Sequence, residues 1–244
     1  METHGSGKVF RDDRELAAVI DQTLLKAEAR EEDARAFLET ALEERFGAVF
    51  VSPCWVELAR ALIDEAGLRG VVRLGTTAGF PLGTATTDAK CYEAVDAVER
   101  GADEIDFVIN VGWLKSGRDA DVREEMRAIA DSVRAAADGA RGTPGVKAII
   151  EAGFLTDDEK RAAVACAIEA GLDFVKTATG FGPGGATVHD VELLVRAAEG
   201  RIRVKASGGI RTLSDALALL RAGADRIGTS AGHSILAEAR TKWA

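Results

Sequence analysis

The sequence predicts one α/β domain, a closed (β/α)8 barrel of the TIM type with an extra helix ahead of its first strand. Three observations predict it. Short apolar runs of strand character alternate with amphipathic helical stretches, which implies parallel pairing. The alternation repeats eight times and no glycine fingerprint follows the first strand, so closure is favoured over an open doubly wound sheet. The 244 residues suit a barrel folded as one unit, and no composition shift marks a linker. Residues 1–8 read as a ragged tail and residues 9–244 as the barrel domain.

Each element follows from local chemistry. Residues 11–18 form the extra helix, and 19–21 a short strand ending in Asp21. Residues 31–45 have the spacing of an amphipathic helix, and 47–51 are an apolar strand. Pro53 suits the first turn of a helix running to 65, which Gly67 stops. Residues 71–74 form a third strand, 76–84 a loop with Gly79, Pro81 and Gly83, and 85–100 a helix. Gly101 leads to the fourth strand, 104–109, and a helix covers 119–137. The fifth strand is 146–151, and Thr156 caps a helix over 157–170. The sixth strand, 173–176, precedes a helix over 187–198. The seventh, 202–205, precedes one over 212–221. The eighth begins at 226–228, and a Gly-Ser segment and a last helix close the chain.

Composition narrows the function. Hydrophobic content of 47% supports a real core, and aromatics at 5% leave it to Ala, Val, Ile and Leu. A net charge of −9 argues against general nucleic-acid binding, though backbone donors can still hold a small anion. Cys54, Cys91 and Cys166 are odd in number and far apart, which suits reduced thiols in the cytoplasm. His4, His189 and His233 are scattered, so the spacing offers no metal site. No apolar run spans a bilayer, and no basic-then-apolar signal opens the chain.

Strand parity adds a site. Side chains alternate between faces. Ile105, Phe107 and Ile109 share one face of the fourth strand, opposite Glu104, Asp106 and Val108. Ala148 and Ile150 oppose Lys147, Ile149 and Glu151 on the fifth, and Ile202 and Val204 oppose Arg203 and Lys205 on the seventh. The apolar face suits the helix layer and the charged one a polar barrel interior. There Lys147, Glu104, Glu151 and Arg203 read equally as structural ion pairs.

Lys176 ends the sixth strand between apolar neighbours, ahead of Thr177, Gly180 and a glycine-rich turn. A lysine there is either snorkelling at the barrel rim or a working amine. Lys205 ends the seventh strand in the same way, so two lysines sit side by side. A second ammonium disfavours protonation of the first. Lowering a lysine from ~10.4 to ~7 corresponds to roughly 4–5 kcal/mol. Strand C-terminal ends are where barrels carry catalysis, and the loops after strands seven and eight often bind phosphate. Gly208 and Gly209 follow the seventh strand. Gly228, Ser230 and Gly232 follow the eighth, and Gly180 and Gly182 could close the cradle.

Residues 176–181 (Lys-Thr-Ala-Thr-Gly-Phe) and 205–212 (Lys-Ala-Ser-Gly-Gly-Ile-Arg-Thr) resemble the two lysine signatures of the deoxyribose-phosphate aldolase family. The stretches 21–26, 79–83 and 101–106 resemble other blocks of that family, in its order, and the resemblance runs from about residue 16 to 236. It implies a Schiff base on Lys176, with Lys205 holding that amine deprotonated and exchanging protons. It implies Asp106 as proton donor and acceptor, and Asp21 as a relay to Lys205 or Asp106. Thr23 and Thr177 would meet substrate hydroxyls, and Gly180, Gly208, Gly209, Gly228 and Ser230 the phosphate. The reaction implied is reversible cleavage of 2-deoxy-D-ribose 5-phosphate to D-glyceraldehyde 3-phosphate and acetaldehyde. No cofactor is implied, and the partners are phosphosugar and aldehyde with a homo-oligomer, dimer or tetramer. The alternatives are a transaldolase-like Schiff-base aldolase and a phosphosugar-binding barrel without turnover.

Four departures from the family pattern stand out. Gln22 replaces a frequent His, and Ala231 a frequent second Ser. Cys54 and Trp55 break the usual polar-then-Tyr pattern, and the one tyrosine, Tyr92, is not near the C-terminus.

Overall fold

The computed structural model describes residues 10–137 and 142–243; the tail expected over 1–8 lies outside them. Eight parallel strands close on themselves in chain order. They are β1 (Ile20–Leu24), β2 (Ala48–Val51), β3 (Arg73–Ala78), β4 (Glu104–Val108), β5 (Gly145–Ile149), β6 (Phe174–Lys176), β7 (Arg203–Ser207) and β8 (Arg226–Thr229). β8 pairs back onto β1, with Ile227 opposite Ile20. The expected (β/α)8 barrel and its extra helix, α1 (Asp13–Ala17), are both present.

The outer layer is α2 (Glu31–Glu44), α3 (Val56–Glu65), α4 (Thr87–Glu99), α5 (Val111–Lys115), α6 (Asp119–Ala135), α7 (Asp157–Glu169), α8 (Val188–Ala198), α9 (Leu213–Arg221) and α10 (Gly232–Trp243). Thr86, Thr156, Thr187 and Thr212 each accept an N–H from the first turn of α4, α7, α8 and α9. Such caps stabilise a helix start by about 1 kcal/mol each. The core lies between sheet and helices, where Val49, Leu74, Ile105, Phe107, Val146, Ala148, Val175 and Val204 are buried, as parity requires.

A repeated tripeptide fixes how the even strands enter. Gly101-Ala102-Asp103, Gly171-Leu172-Asp173 and Gly223-Ala224-Asp225 precede β4, β6 and β8. Each glycine has positive φ (112, 74 and 107°), which frees the chain from the preceding helix. Each aspartate then grips the preceding odd strand. Asp103 accepts from Leu74 N–H at 2.8 Å, Asp173 from Val146 N–H at 2.9 Å and Asp225 from Val204 N–H at 2.9 Å. The aspartate N–H groups donate back to the carbonyls of the same three residues. These two-pronged latches sit at the base, the N-terminal end of the barrel.

β3 runs longer than its expected 71–74. Gly75, Thr76 and Thr77 suggest a turn by composition, yet they pair with Glu104, Ile105 and Asp106 on one side, and Gly75 with Phe50 on the other. Glycine is needed at position 75 because the Phe50 ring lies over it. β5 ends at Ile149, before the expected 151. α5 was not expected; Asn110 caps it by accepting from Trp113 N–H at 3.1 Å. Among the described residues no helix is long and apolar enough to cross a membrane, and no group of His, Cys, Asp and Glu could hold a metal.

Candidate active site

Inward-facing residues of five strands form a closed circuit of charge. Asp106 on β4 is fully buried. Its Oδ1 accepts from Lys147 Nζ at 2.9 Å, and its Oδ2 from Lys205 Nζ at 2.7 Å. Lys205 Nζ lies 2.6 Å from Asp21 Oδ2, and Asp21 Oδ1 accepts from Arg226 Nε at 2.7 Å. Arg226 Nη1 donates to Glu104 Oε1 at 2.6 Å, and Glu104 Oε2 accepts from Lys147 Nζ at 2.6 Å, which returns to Asp106. Three carboxylates alternate with three cations, and Arg73 reaches Glu104 Oε1 from the base at 3.0 Å. Lys176 is the additional member. Its Nζ donates to the same Asp106 Oδ2 at 2.9 Å, which puts it beside Lys205.

Electrostatics follow from burial and these partners. Burial would raise the carboxyls of Asp106 and Glu104, but the cations more than offset it. Lys147, Lys176 and Lys205 hold Asp106 well below the usual carboxylate range. Lys147 and Arg226 hold Glu104 down at about 2. Burial pushes Lys205 down to about 8, against the pull of Asp106 and Asp21. Taking such groups out of water is affordable only because each has opposite charges at hydrogen-bond distance.

Lys176 alone of the three lysines reaches the cavity at the C-terminal mouth, of about 350 Å³. Thr23, Gly180, Gly208, Gly209, Gly228 and Ser230 line it as well. Gly180, Gly208 and Gly209 have positive φ (86, 95 and 75°), a backbone that suits glycine and lets N–H groups turn toward an anion. A slightly larger cavity, about 420 Å³, opens at the base among Arg73, Glu104, Phe174 and Arg203, and touches neither Lys176 nor Lys205. The mouth is therefore where the chemistry can occur.

Several expected residues have other duties. Thr177 is buried and does not line the cavity; its hydroxyl donates to the Ser207 carbonyl and accepts from Ser207 N–H, both at 2.9 Å. Gly228 lies within β8 rather than in the following loop, where a Cβ would come 3.0 Å from Lys205 Cε. Glu151 is not an interior ion pair. It lies past the end of β5 with φ 49°, and accepts from Thr179 N–H at 3.2 Å and from the Thr179 hydroxyl. Thr179 Oγ1 in turn accepts from Phe181 N–H at 3.0 Å and Gly182 N–H at 3.3 Å, so Glu151 anchors the loop after β6. Arg203 is not interior either. At the base its side chain is half exposed, stacked 4.0 Å over Phe174 and 3.8 Å from Asp173. Gln22 faces away from the circuit and clamps the turn after β8, accepting from Gly232 N–H at 3.0 Å and donating to the Ser230 carbonyl at 3.4 Å.

Four contributors escaped the sequence reading. Arg226 completes the circuit, and extending the parity count to β8 would have found it. Phe50 stands inside the barrel against the lysines, and parity on β2 would have found it. Lys26 and Arg211 bring positive charge to the mouth, with no periodicity to mark them.

The comparisons agree with this geometry. Residues 16–238 match the DeoC/LacD family of aldolases. The chain is 48% identical over 221 residues to the deoxyribose-phosphate aldolase of Carboxydothermus hydrogenoformans, covering 91% of this chain and 93% of that one. It is 49% identical over 218 residues to that of Streptococcus equi subsp. zooepidemicus, covering 89% and 93%. The tetrameric deoxyribose phosphate aldolase structure from Aeropyrum pernix superposes with a TM-score of 0.85 at 33% identity, covering 95% and 93%. A closed barrel with strand-end lysines around a shared carboxylate, matched along nearly its whole length, places this chain in the DeoC/LacD family of aldolases.

Proposed function

We propose that the protein is a class I deoxyribose-phosphate aldolase, a lyase that forms its imine on Lys176. One observation carries the assignment of the nucleophile. Lys176 Nζ and Lys205 Nζ share Asp106 Oδ2, so the amine at the cavity has a second lysine nitrogen directly beside it. Lys176 is also the member at the cavity.

In the cleavage direction the free amine of Lys176 adds to the aldehyde carbon C1 of the open-chain sugar. The hydroxyl of that carbinolamine takes a proton from Lys205, directly or relayed through the Asp106 carboxylate, and leaves as water, giving a protonated imine. A base removes the C3 hydroxyl proton, the C2–C3 bond breaks and its electrons pass to the imine nitrogen. D-Glyceraldehyde 3-phosphate departs and an enamine remains. C2 takes a proton, and water releases acetaldehyde and the amine. Asp106 suits both proton transfers because it touches both lysines, and Asp21 acts through Lys205.

The phosphate would lie against the loops after β6, β7 and β8, with Gly180, Gly208, Gly209 and Ser230 offering backbone donors. Lys26 and Arg211 would add charge there. Thr23 would meet a sugar hydroxyl. We place the enzyme in the cytoplasm, where Cys54, Cys91 and Cys166 remain thiols, and as a homo-oligomer, in line with the tetramer of the Aeropyrum relative.

Borohydride with acetaldehyde tests the reading. Reduction should leave one ethyl group, and peptide mapping should find it on Lys176. Active protein with no label, or with label on another lysine, refutes the assignment.

A further inference from the structure

We propose that Phe50 is a positioning residue for this reaction, whose ring face holds the proton on Lys205 while Lys176 is free to lose its own. The inference rests on the reading of Lys176 as the nucleophile. Phe50 is fully buried on the inner face of the barrel, between Thr23 and Gly75 in register. Its ring centroid lies 3.7 Å from Lys205 Nζ, 4.7 Å from Lys147 Nζ and 5.8 Å from Lys176 Nζ. The face of an aromatic ring is negative and attracts a cation within about 6 Å, most strongly at close range and away from water. The ring therefore favours the proton on Lys205 over one on Lys176.

The barrel is shaped to seat this ring. Gly75 is the register partner of Phe50 on β3. A Cβ there would come within 2.2 Å of the ring's Cζ, so only glycine admits the ring in that place. An aliphatic side chain would fill a barrel interior equally well. A ring lodged over a glycine, with its centroid nearest a fully buried lysine, does more than fill space.

The need for it lies in the surroundings of Lys205. Asp21 on β1 and Asp106 on β4 favour its charge, while Lys147 on β5, Lys176 on β6 and Arg226 on β8 oppose it. Burial pushes Lys205 down to about 8, within reach of working pH. As a proton donor to the leaving water, Lys205 must remain an ammonium while its neighbour is a free amine.

Fluorination tests the ring without changing its shape much. Phe50 is replaced site-specifically by 4-fluoro-, 3,5-difluoro- and pentafluorophenylalanine, which progressively strip the negative face. The alkaline limb of kcat/KM should move acidward in that order, by roughly half to one and a half pH units for the last. The 15N resonance of Lys205 Nζ should titrate with the same displacement, and Phe50→Leu should move both in the same direction. If the limb and the resonance stay at their wild-type pH across the series, the inference is overturned. Borohydride trapping with acetaldehyde separates the failures. Label on Lys176 with an unmoved limb sinks Phe50 alone, whereas label elsewhere sinks the nucleophile and this inference together.

Discussion

An amine attacks a carbonyl only as the free base, so at the scale of single residues the decisive matter is which nitrogen lacks a proton. Position answers it, since Lys176 is the one of the three interior lysines that lines the cavity, with Lys205 beside it on Asp106 Oδ2. Lys205→Leu tests this. The substitution takes a like charge away from beside the Lys176 amine. The acid limb of the pH–rate profile should move toward alkaline pH. Turnover should fall by roughly 10²–10⁴-fold with the lost proton donor. An unmoved profile in a folded variant would refute the charge argument. Lys176, Lys205 and Asp106 were legible in the sequence because charged residues on strands stand out against apolar neighbours. Phe50 was missed, because an aromatic residue in an apolar run looks like ordinary packing until parity is counted along β2.

At the scale of elements, the loop after β6 owes its shape to the strand before it. Glu151 leaves β5 in a left-handed turn and anchors Thr179, and Gly182 leaves room for its carboxylate, which a Cβ would approach to 2.7 Å. The Phe181 ring of this loop meets Phe80, from the loop after β3, edge-on at 5.4 Å. Glu151→Ala removes hydrogen bonds to a charged acceptor, each worth about 1.5–3 kcal/mol. KM for the phosphorylated sugar should rise roughly tenfold or more, with kcat changed far less. Trapping of acetaldehyde, which carries no phosphate, should be unaffected; an equal loss in both assays would refute a loop-anchoring role. Parity placed Glu151 wrongly because the rule holds only while the strand continues, and β5 stops at Ile149. Helix positions were easier to read, since Thr156 announces its cap chemically. The start of the longer β3 run was hidden because Gly75 reads as a turn signal, and the Phe50 ring over it explains the glycine.

For the whole molecule, the circuit joins β1, β4, β5, β7 and β8 across the barrel axis. Its stability should depend on acid in a definite way. Glu104 has its carboxyl lowered from 4.5 to about 2 in the fold. Its contribution is therefore complete above 4.5 and lost as pH falls toward 2. Urea unfolding across that range should show a steep loss of stability. Glu104→Gln should cost about 3–5 kcal/mol near neutrality, because Lys147 and Arg226 lose a buried partner, and should flatten the acid slope. A slope unchanged by the substitution would refute the assignment. The Gly-x-Asp latches act far from all of this, yet they decide whether it exists. A strand displaced by a single position turns every side chain to the other face. The barrel could still close, but a displaced β5, β6 or β7 would point its own lysine, Lys147, Lys176 or Lys205, out among the helices. Asp103, Asp173 and Asp225 are thus alignment pins, and aldol chemistry at one end of the molecule is answerable to three carboxylates at the other.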